Sequence, residues 1–188
     1  IHLNKDWLDS KDRVYPIIID PTITGSDSNK SVIDTYIYSG DSKDTVYNTD
    51  ILKVGVEKVN NKDVVYRSLL KFALNPIPPS YTIVNATLNL IGYADTSYGE
   101  EDSNTLVAVH KITQNWTEVD AKWDTMYNKY DSKLENYFYS KRSQAIINEN
   151  TMTITPKSVG VDITDLVKKW YANPNENYGL MLKAYEEV

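Results

Sequence analysis

The sequence predicts an all-β domain, a jelly-roll β-sandwich with one short helix near the C-terminus. Short runs of β-branched and aromatic residues recur along the chain, most with apolar side chains at every second position, which is typical of strands. Proline-rich corners separate some of these runs, and proline disfavours helix at its own position and at the residue before it. Only residues 162–176 show clear helical spacing of apolar side chains. Short strands joined by turn signals favour a sandwich.

The first half of the chain supplies three predicted strands. SVIDTYIYSG (31–40) has apolar side chains at both parities, which indicates a strand covered on both faces. In ILKVGVEKV (51–59), apolar and other residues alternate. VVYRSLLKFAL (64–74) places Leu70 and Phe72 on one face and Leu69 on the other. We therefore expect a central strand here that contributes to apolar layers on both sides of its sheet.

A proline corner follows this strand, formed by Pro76, Pro78 and Pro79, because each proline fixes its own φ. TIVNATLNLIGY (82–93) then returns with one apolar and one polar face, as in an antiparallel sheet packed on a single side. The sequence predicts further strands in TLVAVHKIT (105–113), TMTITP (151–156), SVGVDI (158–163) and YGLMLKAYEEV (178–188).

Residues 126–150 are rich in Tyr, Lys and Asn and show no clear period. We predict a long loop or insertion there, with a helical turn around SKLENYF (132–138). The helix is predicted in DITDLVKKWYANPNE (162–176), where Thr164 can act as N-cap and Pro174 ends the helix. Its core-facing stripe comprises Ile163, Leu166, Val167 and Trp170.

Length and patterning predict a two-part chain. Its 188 residues suit one domain with a sizeable core. RVYPIIIDPTITG (13–25) is extended and bracketed by prolines, so we expect residues 1–30 to form an extended arm and residues 31–188 a single jelly-roll module. The start shows neither an initiator Met nor the apolar core of a signal peptide, and we interpret the chain as a segment of a longer protein. No run approaches the roughly 20 apolar residues of a membrane span.

Composition argues against several classes of function. A formal net charge of −6 creates no basic field for nucleic acid. The absence of Cys excludes disulfides and thiolate chemistry. Only His2 and His110 provide imidazoles, and we place His110 on a sheet surface. No zinc-protease, nucleophile-elbow or P-loop motif occurs, and the acids at 100–102 resemble a solvated run. We therefore expect no enzymatic activity.

The loop after the first strand offers hard oxygen ligands at short spacing: Asp41, Asp44, Asn48 and Asp50. Ca²⁺ takes six to eight such oxygens, so this loop is a candidate structural calcium site. The alternative is a turn whose Asp and Asn side chains cap the backbone.

Aromatic content is dominated by 15 Tyr and 4 Trp, against 2 Phe. Such rings suit strands and also sites that face sugars or peptides, since each has a flat apolar body and a polar tip. We expect Trp116 and Trp123 in the core and Trp7 to dock the arm. The candidate ligand-binding residues lie in the unpatterned stretch and beside the acidic loop: Tyr127, Tyr130, Tyr137, Tyr139, Tyr93 and Tyr98. A loop that merely covers a sheet edge would show the same pattern.

Four segments together resemble a known family: DTYIYSGDSKDTVYNTDILKVG, YRSLLKFALNPIPPSYTIVNATLNL, KITQNWTEVDAKWD and VDITDLVKKWYANPNENYGLML. They resemble the DNRLRE-type module, a jelly-roll domain related to disaggregatase repeats and grouped with carbohydrate-binding modules. The resemblance covers roughly residues 32–185. WLDSKDRVYPIIIDPTI (7–23) resembles the arm before this module in RHS/YD-repeat, wall-associated surface proteins of Gram-positive bacteria. Ala73 departs from the family pattern, which commonly has an acidic residue there.

The resemblance implies an extracellular, secreted or cell-wall-associated module that binds carbohydrate or cell-wall glycan without catalysis. It also adds Asp34 and Asp162 as calcium candidates, because related jelly rolls hold a structural calcium between early and late strands. The main alternative is a structural spacer or docking domain that touches other domains of a large RHS-type surface or toxin-delivery protein. The third alternative is an enzyme, a lyase or a glycosidase. No nucleic acid and no membrane span are expected.

Overall fold

The computed structural model describes residues 31–47, 51–74, 77–92, 105–140, 144–148, 151–155 and 157–187. The predicted arm, including Trp7, lies outside these ranges, so the boundary between arm and module stays a prediction. Within them, no helix is long and apolar enough to cross a membrane.

The described residues are mainly strands and the loops between them, with two α-helices and a 3₁₀ turn at Pro174–Glu176. In chain order the elements are β1 Val32–Tyr38, β2 Gly55–Val59, β3 Lys62–Phe72, β4 Thr87–Gly92, β5 Leu106–Ile112, α1 Trp123–Met126, β6 Tyr130–Tyr139, β7 Gln144–Asn148, β8 Thr151–Thr155, β9 Lys157–Asp162, α2 Thr164–Ala172 and β10 Leu180–Ala184.

An antiparallel main sheet has the order β1-β3-β10-β5-β6, and β2 also pairs with β3. β4 pairs with β9 in a second sheet, and β7 pairs with β8. Strands far apart in sequence are therefore neighbours, β3 beside β10 and β4 beside β9, as in a jelly roll. The prediction of an all-β sandwich with one short helix near the C-terminus is confirmed.

β3 lies in the interior of the main sheet. Its Tyr66 pairs with Tyr38 of β1 and with Gly55 of β2, so these two strands lie on opposite edges of β3. β10 follows β2 along the same edge and pairs at Ser68–Leu70. The β2–β3 turn has Asn60 and Asn61 at φ 50° and 62°, the left-handed region that a two-residue hairpin turn requires.

The larger apolar core fills the space between the two sheets. It contains inward residues of the main sheet, residues of β4 and β9, and the apolar stripe of α2: Leu70, Val107, Val109, Leu180, Leu182, Leu88, Val161, Ile163, Leu166, Val167 and Trp170. Complete burial of each large apolar side chain is worth about 1.5–3 kcal/mol. The alternation at every second residue predicted this layer correctly in β3 and β5.

A second apolar cluster covers part of the outer face of the main sheet. Segment 116–126 crosses that face, so Trp116, Ala121 and Met126 bury the outward residues Ile37, Leu69, Ile112 and Met181. Trp116 is 2% exposed, and its Nε1–H donates to the carbonyl of Tyr178 at 2.8 Å. Trp123 packs against the cluster while half-buried. Both tryptophans therefore serve packing.

The loop predicted for residues 126–150 is wrong over much of its length. Residues 130–139 form β6, and SKLENYF is part of that strand rather than a helical turn. The pairing of β5 with β6 shifts register on both sides of His110. Such bulges interrupt the alternation of side chains, and β6 is an edge strand, where charged residues are favoured. Because of these features, the sequence pattern did not predict β6 as a strand.

Helix α2 begins differently from the prediction. Thr164 is its first helical residue rather than its N-cap. Its N–H donates to Asp162 Oδ1 at 2.8 Å, so Asp162 satisfies the helix terminus. The Thr164 hydroxyl accepts the N–H of Ala86 at 2.9 Å and thus holds the helix beside β4. The helix ends at Ala172, and Pro174 begins a 3₁₀ turn, so the predicted stop is confirmed.

Candidate functional site

Tyr137 and Tyr139 lie on the outer face of the main sheet. Their neighbour Phe138 pairs with Val107 and packs with it against the core between the sheets. Because successive strand residues point to opposite faces, the two tyrosines point outward. Their side chains are 55% and 56% exposed. Two flat rings therefore stand at alternate positions of an edge strand.

Tyr185 extends this surface across the sheet. Ala184 pairs with Val107, and the N–H of Tyr185 donates to the carbonyl of Leu106 at 2.8 Å. Leu106 also pairs with Tyr139. Tyr185 is 53% exposed. Tyr185, Leu106 and Tyr139 thus form a row over β10, β5 and β6.

We call this surface the tyrosine face. It comprises the exposed Tyr137, Tyr139 and Tyr185 and the half-buried Leu106, over the buried Ala108. Alternate strand residues are about 7 Å apart and neighbouring strands about 4.8 Å apart, so Tyr185 lies roughly 10 Å across the sheet from Tyr139. Tyr185 was missed at the sequence level. The available signal was its position, which continues the outward alternation of Met181 and Lys183 in the last strand.

A buried ion cluster borders the tyrosine face. The guanidinium of Arg67, a residue only 8% exposed, donates from Nε to Glu187 Oε1 at 2.8 Å and from Nη2 to Oε2 at 2.6 Å. Lys183 Nζ lies 3.5 Å from the same carboxylate. Lys183 pairs with Ala108 in the sheet, which connects this cluster to the tyrosine face.

Tyr130 takes part in the ion cluster rather than in an open surface. The Arg67 guanidinium carbon lies 5.6 Å from its ring centroid and Lys183 Nζ 5.9 Å away, distances at which cations are attracted to aromatic rings. His110 lies 4.9 Å from the same ring. The ring of Tyr130 is thus surrounded by Arg67, Lys183 and His110, and the residue is half-buried.

Tyr127 lies beyond Arg67 and stacks on Trp123 with ring centroids 6.1 Å apart. Its carbonyl accepts a hydrogen bond from Arg67 Nη1, and its side chain is 43% exposed. Tyr137 and Tyr139 are therefore brought together, whereas Tyr127 and Tyr130 stand apart from them. Tyr93 and Tyr98 lie outside the described residues.

His110 is buried, with 7% exposure, so its placement on the sheet surface is wrong. Its Nδ1 lies 2.9 Å from the carbonyl of Asp131 and 3.2 Å from that of Lys133. A carbonyl only accepts, so Nδ1 carries the proton and donates. The bulged strand β6 supplies these carbonyls, a feature that alternation alone does not reveal. The imidazole thereby serves the packing of β6 on β5.

The acidic calcium candidates are spread over the fold. Asp41 and Asp44 lie in an exposed turn, and Asp34 is on β1, where its N–H donates to Glu118 Oε1 at 3.2 Å. Asp162 ends β9 in the second sheet. The Thr164 hydroxyl and N–H hold the pKa of Asp162 below its ordinary value.

In the part of the chain that the structure describes, no group of three or more acidic or His side chains is placed to hold a metal ion. Asn48 and Asp50 lie outside the described residues, so the calcium site stays a prediction.

A second group of tyrosines has a different environment. We call it the tyrosine cluster, and it comprises Tyr36, Tyr38, Tyr47 and Tyr66. Tyr36 and Tyr47 stack with centroids 4.5 Å apart, and Tyr38 lies 4.9 Å from Tyr66. Lys53 Nζ lies 5.5 Å from the Tyr36 ring and 5.3 Å from the Tyr66 ring. These rings contact one another and Lys53.

Burial raises the phenolic pKa of Tyr36 and Tyr38. In Tyr66, burial and then the hydrogen bond from its hydroxyl to Glu57 Oε2, 2.8 Å long, raise the pKa. These phenols are therefore held in the neutral form.

Comparison with protein families adds an independent finding. The model of carbohydrate-binding module family 96 matches residues 26–187. This range includes every residue of the tyrosine face. A comparison with curated proteins finds no match.

Proposed function

This chain belongs to carbohydrate-binding module family 96, and from that premise we propose that it binds a glycan, without catalysis, through the tyrosine face. The observation that carries the proposal is the placement of Tyr137, Tyr139 and Tyr185 on one open side of a packed sheet, each more than half exposed. Flat aromatic rings stack against the apolar C–H faces of sugar rings, and the phenolic hydroxyls can bond sugar hydroxyls.

The sheet supports recognition by holding the rings in place. Tyr137 and Tyr139 share β6, which pairs along β5, and Tyr185 is fixed by its backbone bond to Leu106. A tyrosine side chain also has few rotatable bonds, so little conformational entropy is lost on binding. The open, flat arrangement favours an extended polysaccharide segment over a single enclosed sugar.

The ion cluster supplies polar groups beside the rings. Lys183 and Glu187 are near the tyrosine face, and their charges are largely compensated by each other and by Arg67. We expect them to orient sugar hydroxyls rather than to add a strong net charge. They are also not arranged as a free acid–base pair, which supports a non-catalytic role.

A glycan array with the full chain tests the proposal. We expect saturable binding to at least one polysaccharide, lost in the double variant Tyr137→Ala/Tyr139→Ala. Tyr81→Ala is the matched control, because Tyr81 is 43% exposed but lies outside the tyrosine face. Binding that survives the double variant, or that Tyr81→Ala abolishes equally, contradicts this site.

We further propose that the chain is a DNRLRE-type module of an RHS-type parent protein, in an extracellular, secreted or cell-wall-associated setting, with a wall glycan as ligand. Support comes from the family and from the sequence resemblance of the arm. The alternative role, a structural spacer or docking domain, predicts an empty array. An enzyme would release new reducing or unsaturated ends from the bound polysaccharide, so an end-group assay of each array hit separates the readings.

A further inference from the structure

A groove of about 860 Å³ lies at one end of the sandwich, away from the tyrosine face. One wall is the end of β3 and the residues that follow it, including Phe72 and Leu74. The other wall is the end of α2 and its 3₁₀ turn, including Tyr171 and Pro174. Neither wall belongs to the proposed glycan site.

The chain enters the described part of the fold at the rim of this groove. The carbonyl of Ser31 accepts the N–H of Ala73 at 2.8 Å. Ala73 and Ile33 both line the groove. Residues 1–30 therefore connect to the fold directly beside it.

The lining of the groove suits an extended apolar peptide. Most of its described lining is apolar or aromatic, and Lys71 is its only charged residue. Two buried polar atoms of lining residues, Trp170 Nε1 and Asn177 Oδ1, have no hydrogen-bond partner among the residues that the structure describes. One is a donor and the other an acceptor, and buried polar groups are normally paired. An extended peptide offers both a C=O and an N–H at each residue.

We propose that this groove is the docking site of residues 13–25, RVYPIIIDPTITG, with Ile17, Ile18 and Ile19 against its apolar walls. Pro16 and Pro21 favour an extended backbone on either side of the isoleucines, and Asp20 carries a charge opposite to that of Lys71 in the groove. The residues between Ile19 and Ser31 span up to about 40 Å when extended, enough to fold back onto the groove. The family match begins at residue 26, so the segment is an addition to the shared module.

Engineered cysteines test the docking, since the natural chain has none. In the full chain we pair Ile18→Cys with Leu74→Cys in the groove. The control pairs Ile18→Cys with Asn89→Cys, on the exposed face of β4. We expect an intramolecular disulfide at least tenfold faster in the groove pair. Equal rates, or disulfides only between copies in a concentration-dependent dimer, overturn the proposal.

A second measurement leaves the groove intact. We replace Ile17, Ile18 and Ile19 with Ser and follow tryptic cleavage after Arg13 in the full chain. Release of the segment should accelerate cleavage about tenfold or more, and unchanged cleavage overturns the proposal. Glycan-array binding is recorded in parallel, because the tyrosine face does not include these residues. A lost array signal with unchanged cleavage counts against the glycan site and the docking alike, whereas faster cleavage with retained binding supports both.

Discussion

The tyrosine cluster and the tyrosine face lie on the same sheet, but the cluster rings pack on one another whereas the face rings are exposed. In the cluster, Tyr47 folds back from the loop after β1 and stacks on Tyr36. At the face, Tyr137 and Tyr139 stand on the edge strand β6, more than half exposed. We therefore expect a tyrosine to be available for recognition when no neighbouring ring or loop covers it, and residue type alone does not decide this.

The two regions should respond differently to loss of a ring. The cluster rings contribute mainly to folding, because they pack on one another and Tyr36 is buried beneath Tyr47. The rings of the tyrosine face leave more than half of their surface exposed and available to a ligand. Each prediction below separates stability from binding, and the predictions run from the largest expected effect to the smallest.

Tyr36→Ala should destabilise the domain by about 3–5 kcal/mol, the range for truncating a buried aromatic ring. Tyr36 is 6% exposed, so its removal leaves a cavity against Tyr47. Urea unfolding measures the change. Tyr139→Ala is the control and should stay within about 0.5 kcal/mol of the natural chain. An equal loss of unfolding free energy in both variants would show that the two regions contribute alike to stability.

The double variant Tyr137→Ala/Tyr139→Ala should weaken glycan binding about 30-fold or more, equivalent to roughly 2 kcal/mol. The reason is loss of the stacking surface, with the fold intact. Titration calorimetry on the best array ligand gives the affinity, and urea unfolding confirms that the variant is folded. An affinity within a few-fold of the natural chain would place the site elsewhere.

Calcium, if bound by Asp41, Asp44 and Asp50, should stabilise the region that carries Tyr47. At a free concentration ten times the dissociation constant, the added stability is about 1.4 kcal/mol. Unfolding with Ca²⁺ and with EDTA measures it, and Asp50→Asn should remove the difference. Identical unfolding curves in the two conditions argue for a capped turn instead.

Tyr185→Ala should reduce glycan affinity by about three- to fivefold, less than the double variant. Tyr185 forms one end of the row across the sheet and lies two strands away from Tyr139. The same calorimetric titration checks this, with Tyr185→Phe as the conservative variant. Retained affinity in Tyr185→Phe combined with loss in Tyr185→Ala indicates stacking, whereas loss in both indicates a role for the hydroxyl.

Alkaline pH should weaken the fold through the tyrosine cluster. The folded pKa of Tyr36, Tyr38 and Tyr66 lies above the ordinary value of 10.0. Their contribution is complete below about pH 10 and declines as pH rises toward the folded pKa, because the unfolded chain loses these protons first. Urea unfolding across this range should show the decline, and Tyr66→Phe should flatten it. If stability declines with pH as steeply in Tyr66→Phe as in the natural chain, ionisation of Tyr66 does not cause the decline.

The fold was predictable where burial on the two faces leaves a regular pattern. β1, β3, β5 and β10 were found because their runs of apolar and β-branched residues, at one parity or at both, are typical of strands in a covered sheet. β6 was missed, since its bulges and its position at the edge remove that pattern. Val84 lies on the apolar face predicted for residues 82–93, yet it is 67% exposed, because pairing in this segment starts only at Thr87.

The candidate glycan site could be predicted from the sequence in part. Tyr137 and Tyr139 were selected from a Tyr-rich stretch without apolar packing signals, and they do stand open. Tyr127 and Tyr130 share that local sequence, but both contact Arg67, a partner distant in the chain. Tyr185 looked like an ordinary position in the last strand. Long-range contacts separate these cases, and local sequence does not encode them.

The position of β10 in the middle of the main sheet also constrains how the domain is made. Leu180 pairs with Leu70 on one side and with Lys111 on the other, so the sheet closes only after nearly the whole segment has been synthesised. Non-local pairing of this kind slows folding. During synthesis β3 and β5 lack the strand that joins them until β10 has emerged, so the two halves of the main sheet cannot unite before then.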